Sequence, residues 1–178
     1  MKTLPNRKSP RANWHDYNNA EYFVTICTKD RVHYFGEVHD GNMRLTAVGE
    51  YLRKEIENTN DIRGSEVNIP LYVIMPNHVH LIVIIHDCRD ALNASAKEKS
   101  DARGASLQRF GPQSRNLGSV IRGIKSAVTH LANEKQISFA WQTRYHDHII
   151  RSQEEMNNIA EYIEHNPAKW ETDCFFNE

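Results

Sequence analysis

Apolar residues recur along the first half of the chain with the two periods that distinguish strands from helices. Runs rich in β-branched and aromatic residues predict three strands, over residues 22–28, 67–74 and 79–85. Val48, Leu52 and Ile56 are spaced four residues apart, which predicts a helix over about 45–58 with one apolar face. The few turn residues between the second and third strands make these two strands antiparallel neighbours.

The second half of the chain continues with alternating helical and extended patterns. They predict a helix over 117–135, short strands over 137–141 and 148–150, and a last helix over 153–165. Ser152 and Glu155 form the S-x-x-E pattern of a capping box at the start of the last helix. Asn166-Pro167 ends that helix, because a residue before proline is disfavoured in the α region.

The order of these elements predicts the fold class. Strand, helix, two strands, helix, one or two strands and a final helix indicate an α+β sandwich of ferredoxin-like type, in which helices pack on an antiparallel sheet. Two segments lack periodicity: residues 1–19, a basic extended arm, and residues 87–116, a polar stretch that we interpret as a flexible insertion. Residues 1–178 are therefore expected to form one domain with these two additions.

Composition and length narrow the class of protein. Of the 178 residues, 39% are hydrophobic and 25% charged, as in soluble globular proteins. The longest apolar run, 81–85, is far too short to cross a bilayer, and no secretory signal is visible, so we expect a cytoplasmic protein without a membrane partner. Cys27, Cys88 and Cys174 form no C-x-x-C pair, which argues against a disulfide framework and a structural zinc site.

Charge is unevenly distributed along the chain, although the net charge is only −1. Lys2, Arg7, Lys8 and Arg11 precede the first acidic residue, a second group of basic residues lies within 103–125, and the C-terminal part is acidic. Such a separation can guide a polyanion to one face of a protein. An ordinary solvated surface explains the same distribution without any partner.

The sharpest chemical pattern is the segment 76–83, PNHVHLIV. Side chains at alternate strand positions share a face, so His78 and His80 project together while Val79 packs on the other side. Two neighbouring imidazoles can bind one divalent metal through their neutral ring nitrogens. The alternative is a pair of histidines on a solvated strand face, against which the apolar residues around them argue.

A second pattern, in the last predicted helix, brings a possible nucleophile near an amide. Tyr162 and Asn166 stand one turn apart on a face that flanks the apolar stripe of Met156, Ile159 and Ile163. A tyrosine in this position can lie at the edge of the sheet with its hydroxyl free to react. The simpler alternative is a boundary tyrosine that buries its ring and hydrates its hydroxyl.

Two other segments carry groups that suit nucleic acid. Residues 141–148, WQTRYHDH, combine aromatic rings, an arginine and an H-x-H pair, which suits contacts with metal, phosphates or bases, although an ordinary strand–turn–strand is equally consistent. Arg122, Lys125 and Ser126 lie close together on a predicted helix and could contact phosphates, although a solvated helix face is the default.

Taken together and in this order, these segments resemble the REP-associated tyrosine transposases, a branch of the IS200-like, single-tyrosine HUH transposases. The matching pieces are 22–28 (YFVTICT), 75–80 (MPNHVH), 118–126 (GSVIRGIKS) and 162–170 (YIEHNPAKW). The combination of PNHVH with a downstream Y-I-x-x-N-P is far more specific than either motif alone. The resemblance covers nearly the whole chain except 87–116, a stretch that is longer than the family's pattern.

The resemblance implies a role for each matching residue. His78 and His80 would be metal ligands, Asn166 a third ligand, and Tyr162 the nucleophile that forms a 5′-phosphotyrosine with DNA. The implied substrate is single-stranded DNA with palindromic hairpins, and the implied reaction is nicking and strand transfer in DNA transposition. The candidate DNA contacts are basic residues of the arm and of the helix over 117–135, namely Arg7, Lys8, Arg11, Arg122 and Lys125.

The implied cofactor is a divalent metal, Mg²⁺ or Mn²⁺. Two imidazoles and an amide oxygen suit Mn²⁺ by their softness, whereas Mg²⁺ prefers a shell of oxygen ligands; the resemblance implies that Mg²⁺ can also serve. The hydroxyl of a tyrosine has a pKa of about 10 and is mostly protonated at neutral pH, so it needs a metal or a base to react.

Two other functions remain compatible with the same residues. A regulator of this fold could bind hairpin DNA without cutting it, and would need none of the four site residues for chemistry. A metal phosphodiesterase could use water as its nucleophile and leave Tyr162 structural. All four residues at matching positions favour the nicking enzyme, and a covalent adduct would separate it from both alternatives. The sequence leaves open the hairpin recognised, the physiological metal and whether the protein is a monomer or a dimer.

Overall fold

A computed structural model of the chain describes three parts, residues 20–64, 66–86 and 116–176. The predicted basic arm, with Arg7, Lys8 and Arg11, lies outside the described residues. The predicted insertion also lies outside them except for Asn116, which caps the helix that follows. The structure therefore leaves the arm and the insertion as predictions.

Six strands and three α-helices make up the described part of the chain. The strands are β1 (Ala20–Cys27), β2 (Gly36–His39), β3 (Asn42–Leu45), β4 (Val67–Ile74), β5 (His78–Ile85) and β6 (His146–Ile150). The helices are α1 (Ala47–Arg63), α2 (Leu117–Glu134) and α3 (Gln153–His165), and 3₁₀ helices cover Lys29–Arg31 and Pro167–Thr172. In these parts of the chain, no helix has the length and apolar character needed to cross a membrane.

The main sheet is antiparallel and has four strands in the order β4-β5-β1-β6, while β2 and β3 form a separate hairpin. Without that hairpin, the chain follows β1-α1-β4-β5-α2-β6, the element order of a ferredoxin-like fold, and α3 is added at its end. The predicted α+β fold, with helices packed on an antiparallel sheet, is confirmed.

The larger apolar core lies between the sheet and the pair of helices α1 and α2. Helix α1 buries Val48, Leu52 and Ile56, as their spacing predicted. Opposite them, alternate residues of the central strands, such as Val24 of β1 and Leu81 of β5, are fully buried. Removal of this apolar surface from water is the main driving force for folding.

The other face of the sheet is covered by α3 and is only partly apolar. Its buried apolar cluster is small and consists of Ile82, Ile150 and Ile163. Two further side chains of β5 that point to this face are His78 and His80. Because side chains alternate between the two faces of β5, apolar residues fill the core on one side and the two imidazoles lie on the other side.

The β2–β3 hairpin is an element that the sequence pattern did not predict. Its strands have four residues each, too few for an alternating pattern to stand out. Its turn is formed by Asp40 and Gly41, whose φ angles of 50° and 72° are those of a two-residue hairpin turn. The Asp-Gly pair was the local signal for this hairpin.

The predicted strand over 137–141 is wrong. Ile137, Phe139 and Trp141 pack against the larger core, which explains why apolar residues alternate there. In the described chain, however, this segment forms one isolated bridge, between Thr28 and Trp141, and belongs to no sheet. The alternation reflects side-chain packing rather than a ladder of backbone hydrogen bonds.

Candidate active site

Strand β5 places two histidine side chains side by side beneath α3. His78 and His80 are two positions apart, so both point to the same face, and each is at most 1% exposed. Their Nε2 atoms are 3.0 Å apart. The pair is therefore buried rather than displayed on a solvated strand face, and two ring nitrogens this close can bind a single metal ion.

Hydrogen bonds from outside the pair orient both rings. Asn77 donates from Nδ2 to the carbonyl oxygen of Phe175 at 2.9 Å, so the atom that lies 2.8 Å from His78 Nδ1 is its Oδ1. Because a carbonyl oxygen only accepts, His78 carries its proton on Nδ1 and keeps the lone pair on Nε2. On the other ring, His80 Nδ1 lies 2.8 Å from Thr25 Oγ1, a hydroxyl that can donate or accept.

Helix α3 brings Tyr162 to the same place. Its hydroxyl oxygen is 3.2 Å from His80 Nε2, and the residue is 41% exposed. The tyrosine ring stands edge-on to Phe23, which stacks on His80 with 5.1 Å between ring centroids. The ring of Tyr162 is thus held in place beside the histidine pair while the residue remains accessible from outside.

Asp173 completes the site, although the sequence patterns did not single it out. After α3 ends, the 3₁₀ helix over Pro167–Thr172 turns the chain back and brings the Asp173 carboxylate to Tyr162. Its Oδ2 accepts hydrogen bonds from the Tyr162 hydroxyl at 3.2 Å and from Asn166 Nδ2 at 3.1 Å. The predicted helix ends before Asp173, so helical spacing gave no signal for this residue.

Asn166 contributes a buried amide with one polar atom unused. The residue is the C-cap of α3 and is 2% exposed. Its Nδ2 is bonded to Asp173, and within the described residues its Oδ1 has no hydrogen-bond partner. Leaving a buried acceptor unpaired costs about 1–3 kcal/mol, so a polar atom in this condition needs an explanation. A bound cation would provide one.

Several donor atoms meet in a way that suits a divalent metal ion. Ligand atoms of His78, His80 and Asp173 all lie within 4.8 Å of one another. Imidazole nitrogen combined with carboxylate and amide oxygen suits Mn²⁺, and the oxygen donors also admit Mg²⁺. These residues fit the metal that the sequence resemblance implies, and Asp173 is a donor that the resemblance did not include.

Burial sets the protonation of the titratable groups in the site. It lowers the pKa of His78 to about 2, with help from His80 and Arg31, and it lowers the pKa of His80 to about 4 against the opposing effect of Asp173. Both imidazoles are therefore neutral, which is the form that binds metal. Burial also raises the pKa of Tyr162 to about 12, with a further contribution from the Asp173 carboxylate. The tyrosine hydroxyl is accordingly protonated at neutral pH.

The chain next to Asp173 covers the histidine pair from one side. The ring of Phe175 lies 4.5 Å from that of His78 between centroids. Arg31 holds this segment, because its Nη1 donates to the Cys174 carbonyl oxygen at 2.7 Å and its guanidinium lies over the Phe175 ring at 5.2 Å. Tyr162, whose hydroxyl contacts His80, is by contrast exposed.

The predicted DNA contacts on α2 lie on the other side of the sheet from Tyr162. Arg122 is exposed, and Lys125 is half-buried and donates from Nζ to the Gln142 carbonyl oxygen at 2.6 Å. The second H-x-H pair is not part of the donor cluster, and its His148, in β6, bonds to Glu155 at 2.6 Å. The structure thus brings together the four predicted site residues and separates them from the predicted contacts on α2.

Comparison with known proteins gives both a relative and a fold. No protein-family model matches the chain. An uncharacterized protein of Haemophilus influenzae (strain Rd) is 34% identical over 176 residues, which cover 97% of this chain and 94% of that protein. A solved structure of the REP-associated tyrosine transposase bound to a REP hairpin aligns with a TM-score of 0.58 at 20% identity, over 92% of this chain and 74% of that one. The chain belongs to one family with the H. influenzae protein, and its fold is that of the REP-associated tyrosine transposase, as the motifs predicted.

Proposed function

We propose that the protein is a metal-dependent transposase that nicks hairpin-bearing single-stranded DNA and transfers the cut strand through Tyr162. The observation that carries the proposal is the Tyr162 hydroxyl, which lies 3.2 Å from His80 in a buried pair of metal-ligand type and belongs to a residue that is 41% exposed. Packing alone would not require two imidazoles and a carboxylate around this hydroxyl. The fold shared with a transposase bound to a DNA hairpin supports DNA as the substrate, by analogy.

The proposed reaction exchanges one phosphodiester for another. The Tyr162 oxygen attacks a backbone phosphorus, a bond forms between these two atoms, and the bond from phosphorus to the 3′ oxygen breaks. The products are a 5′-phosphotyrosine and a free 3′-hydroxyl. Attack by the same or another 3′-hydroxyl reverses the step and joins strands, so no nucleotide cofactor is consumed.

Asp173 is the group placed to take the proton from Tyr162. The tyrosine hydroxyl donates to Asp173 Oδ2, and loss of that proton leaves the nucleophilic oxygen. With a pKa of about 12, Tyr162 ionises too rarely at neutral pH to react without such help. The departing 3′ oxygen takes up a proton, which the same carboxyl group can return.

The metal would be held by His78, His80 and Asn166, with the Asp173 carboxylate as a further donor. The two Nε2 atoms 3.0 Å apart and the unpartnered Asn166 Oδ1 support this assignment among the described residues. A bound divalent cation would neutralise charge on the scissile phosphate and increase the acidity of the neighbouring tyrosine. Hydrogen bonds to both Nδ1 atoms orient the rings from behind.

A covalent-trapping assay tests the proposal. The protein is incubated with labelled single-stranded hairpin DNA and Mn²⁺, and the products are separated on a denaturing gel. We expect a slow protein–DNA band that EDTA removes and that falls at least about 10³-fold in Tyr162→Phe, because the nucleophile is gone. Tyr72→Phe is the matched control, since it removes a hydroxyl that donates to Glu57 on the opposite face of the sheet, and it should form the adduct like the wild type.

Two results of this assay would contradict the proposal. Cleavage without an adduct that persists in Tyr162→Phe would identify a metal phosphodiesterase that uses water. Tight binding to several hairpins with neither cleavage nor adduct, in Mn²⁺ and in Mg²⁺, would identify a DNA-binding regulator. Binding of the second kind should weaken steeply with salt, because contacts with phosphates release counterions.

A further inference from the structure

A cavity of about 730 Å³ lies between α2 and the segment before β6, on the side of the sheet opposite to Tyr162. Its volume is within the range of roughly 300–1,000 Å³ that is typical of small-ligand sites. Its lining includes Arg122, Lys125 and Ser126 of α2, and Trp141, Thr143 and Tyr145 of the following segment. Two sequence patterns that the proposed chemistry does not use, the basic part of α2 and the aromatic segment, thus form the walls of one cavity.

The Trp141 ring forms part of the cavity wall and is held in a fixed position. Its indole Nε1 donates to the Lys125 carbonyl oxygen at 3.1 Å, and its ring contacts Phe35 and Phe139. The side chain nevertheless remains partly exposed and lines the cavity. A ring that is already immobilised loses little conformational entropy when a flat ligand stacks on it.

The charge of the cavity is positive. The Lys125 ammonium lies 5.6 Å from the centroid of the Trp141 ring, and the exposed Arg122 stands one helical turn before it. None of the described residues that line the cavity is acidic. The cavity therefore favours an anionic ligand that also carries a flat ring.

We propose that this cavity binds one unpaired nucleotide of the DNA strand, outside the hairpin stem. Its base would stack on Trp141, its phosphate would lie by Arg122 and Lys125, and the hydroxyls of Ser126 and Thr143 would contact the sugar or the base edge. An aromatic ring with cations and short polar side chains is the combination that binds single-stranded nucleic acid. A bare phosphate would leave the ring unused, and an apolar molecule would leave the cations unused.

The cavity and the candidate active site lie at the same end of the sheet. Gln142 donates its backbone N–H to the Cys27 carbonyl oxygen at 2.9 Å, and Cys27 pairs with His78 in the register of β1 and β5. Cys27 therefore links the wall of the cavity to the histidine pair through the backbone. This inference rests on the proposed function, because its ligand is the strand that Tyr162 cuts.

Fluorescence of 2-aminopurine, an adenine analogue that is quenched by stacking, tests the cavity. It is placed at one position at a time in the single-stranded extension of a hairpin DNA, which is bound to the Tyr162→Phe protein so that no strand is cut. We expect strong quenching at one position. Ser126→Phe, which fills the cavity from α2, should abolish that quenching and weaken binding on the order of 10- to 100-fold.

Gly123→Phe is the matched control, because a Cβ added at this exposed position meets no other part of the described chain within 4 Å and Gly123 does not line the cavity. It adds the same ring to the same helix and should retain both quenching and affinity. Thr143→Phe repeats the test from the other wall if Ser126→Phe does not fold. Equal quenching and affinity in the filled variants and in Gly123→Phe would overturn the inference.

Two further measurements complete the test. One distinguishes a free nucleotide from a DNA strand as the ligand, and the other distinguishes failure of the cavity proposal from failure of the proposed function. Displacement of the quenched signal by micromolar free dAMP would mean that the cavity takes a free nucleotide rather than a strand, which would also overturn the inference. Adduct formation by the wild type without quenching at any position would overturn the nucleotide-binding role of the cavity and support the proposed function of Tyr162. Position-specific quenching without adduct formation would support nucleotide binding in the cavity and contradict the proposed function of Tyr162.

Discussion

The face of the sheet under α1 and α2 and the face under α3 differ in what they bury. The first encloses a broad apolar core, in which residues such as Leu52 and Leu81 are completely buried. The second has a small apolar cluster beside two imidazoles, an amide with an unpartnered oxygen among the described residues, and a carboxylate. Because buried polar groups cost free energy unless they are fully bonded, the second face adds less to stability.

The difference shows how one strand both builds the apolar core and positions the candidate site. In β5, Val79 and Leu81 anchor the backbone in the core, and this fixes the positions of His78 and His80, which alternate with them along the strand. Groups on a rigid strand are held closer to a productive geometry than groups on a loop. Substitutions on the core face should therefore lower the free energy of unfolding with little effect on activity. Substitutions on the α3 face should lower metal binding or activity with less effect on stability.

The largest expected effect on the core face is that of Leu52→Ala. Truncation of this fully buried side chain should lower the free energy of unfolding by about 2–5 kcal/mol, because it leaves a cavity beneath α1. Adduct formation per folded molecule should stay close to that of the wild type. Urea unfolding measures the first quantity and the trapping assay the second.

Ile62→Ala is the control for this prediction, because Ile62 lies on the same helix and is 82% exposed. Its free energy of unfolding should differ from that of the wild type by less than about 0.5 kcal/mol. Similar losses in the two variants would mean that α1 does not anchor the core. A loss of activity in folded Leu52→Ala would mean that the two faces are not separable.

On the α3 face, Thr25→Val should weaken Mn²⁺ binding about 10- to 100-fold. Valine has nearly the shape of threonine but cannot hydrogen-bond to His80 Nδ1, so the ring loses the partner that orients it. Thr59→Val is the matched control, since the Thr59 hydroxyl donates to the Glu55 carbonyl oxygen within α1. Titration with Mn²⁺, followed by electron paramagnetic resonance, compares the two. Equal affinities would exclude an orienting role for Thr25.

A further effect, on stability, is expected when the pH is lowered in the presence of EDTA. The folded-state pKa values of His78 and His80 are about 2 and about 4, below the unfolded value of about 6.5. Between these values the unfolded chain binds protons that the folded chain does not. The stability from this pair is thus complete above pH 6.5 and falls, below it, by up to about 1.4 kcal/mol per pH unit for each imidazole.

Urea unfolding between pH 7.5 and pH 5 measures this dependence. His78→Gln should show a shallower loss than the wild type, because it removes one of the two groups that must take up a proton on unfolding. A slope identical to that of the wild type would assign the acid sensitivity to groups outside the α3 face.

Hydrophobic periodicity predicted the sheet and its helices because the main elements are long enough to repeat. The spacing of Val48, Leu52 and Ile56 identified the buried face of α1, which continues to Arg63. The same reasoning failed over 137–141, where apolar side chains alternate without forming a ladder. Patterns of this kind report burial directly and strand pairing only by implication.

Local spacing also predicted four of the five residues of the candidate site. Strand alternation placed His78 beside His80, and helical spacing placed Tyr162 near Asn166. The sequence analysis missed Asp173, because a 3₁₀ helix rather than a long periodic element brings its carboxylate back to Tyr162. The meeting of Trp141 with Lys125 likewise depends on how distant segments pack, which no local period encodes.

The hydroxyl of Thr25 has a consequence for the count of protons on the histidine pair. His78 holds its proton on Nδ1 against Asn77, so the contact between the two Nε2 atoms requires the proton of His80 to lie between the rings. If both Nε2 lone pairs are to face a cation, that proton must move to His80 Nδ1. Thr25 permits the move, because its hydroxyl can turn from donor to acceptor. Binding of a cation would therefore exchange one tautomer of His80 for the other and would release no proton to the solution.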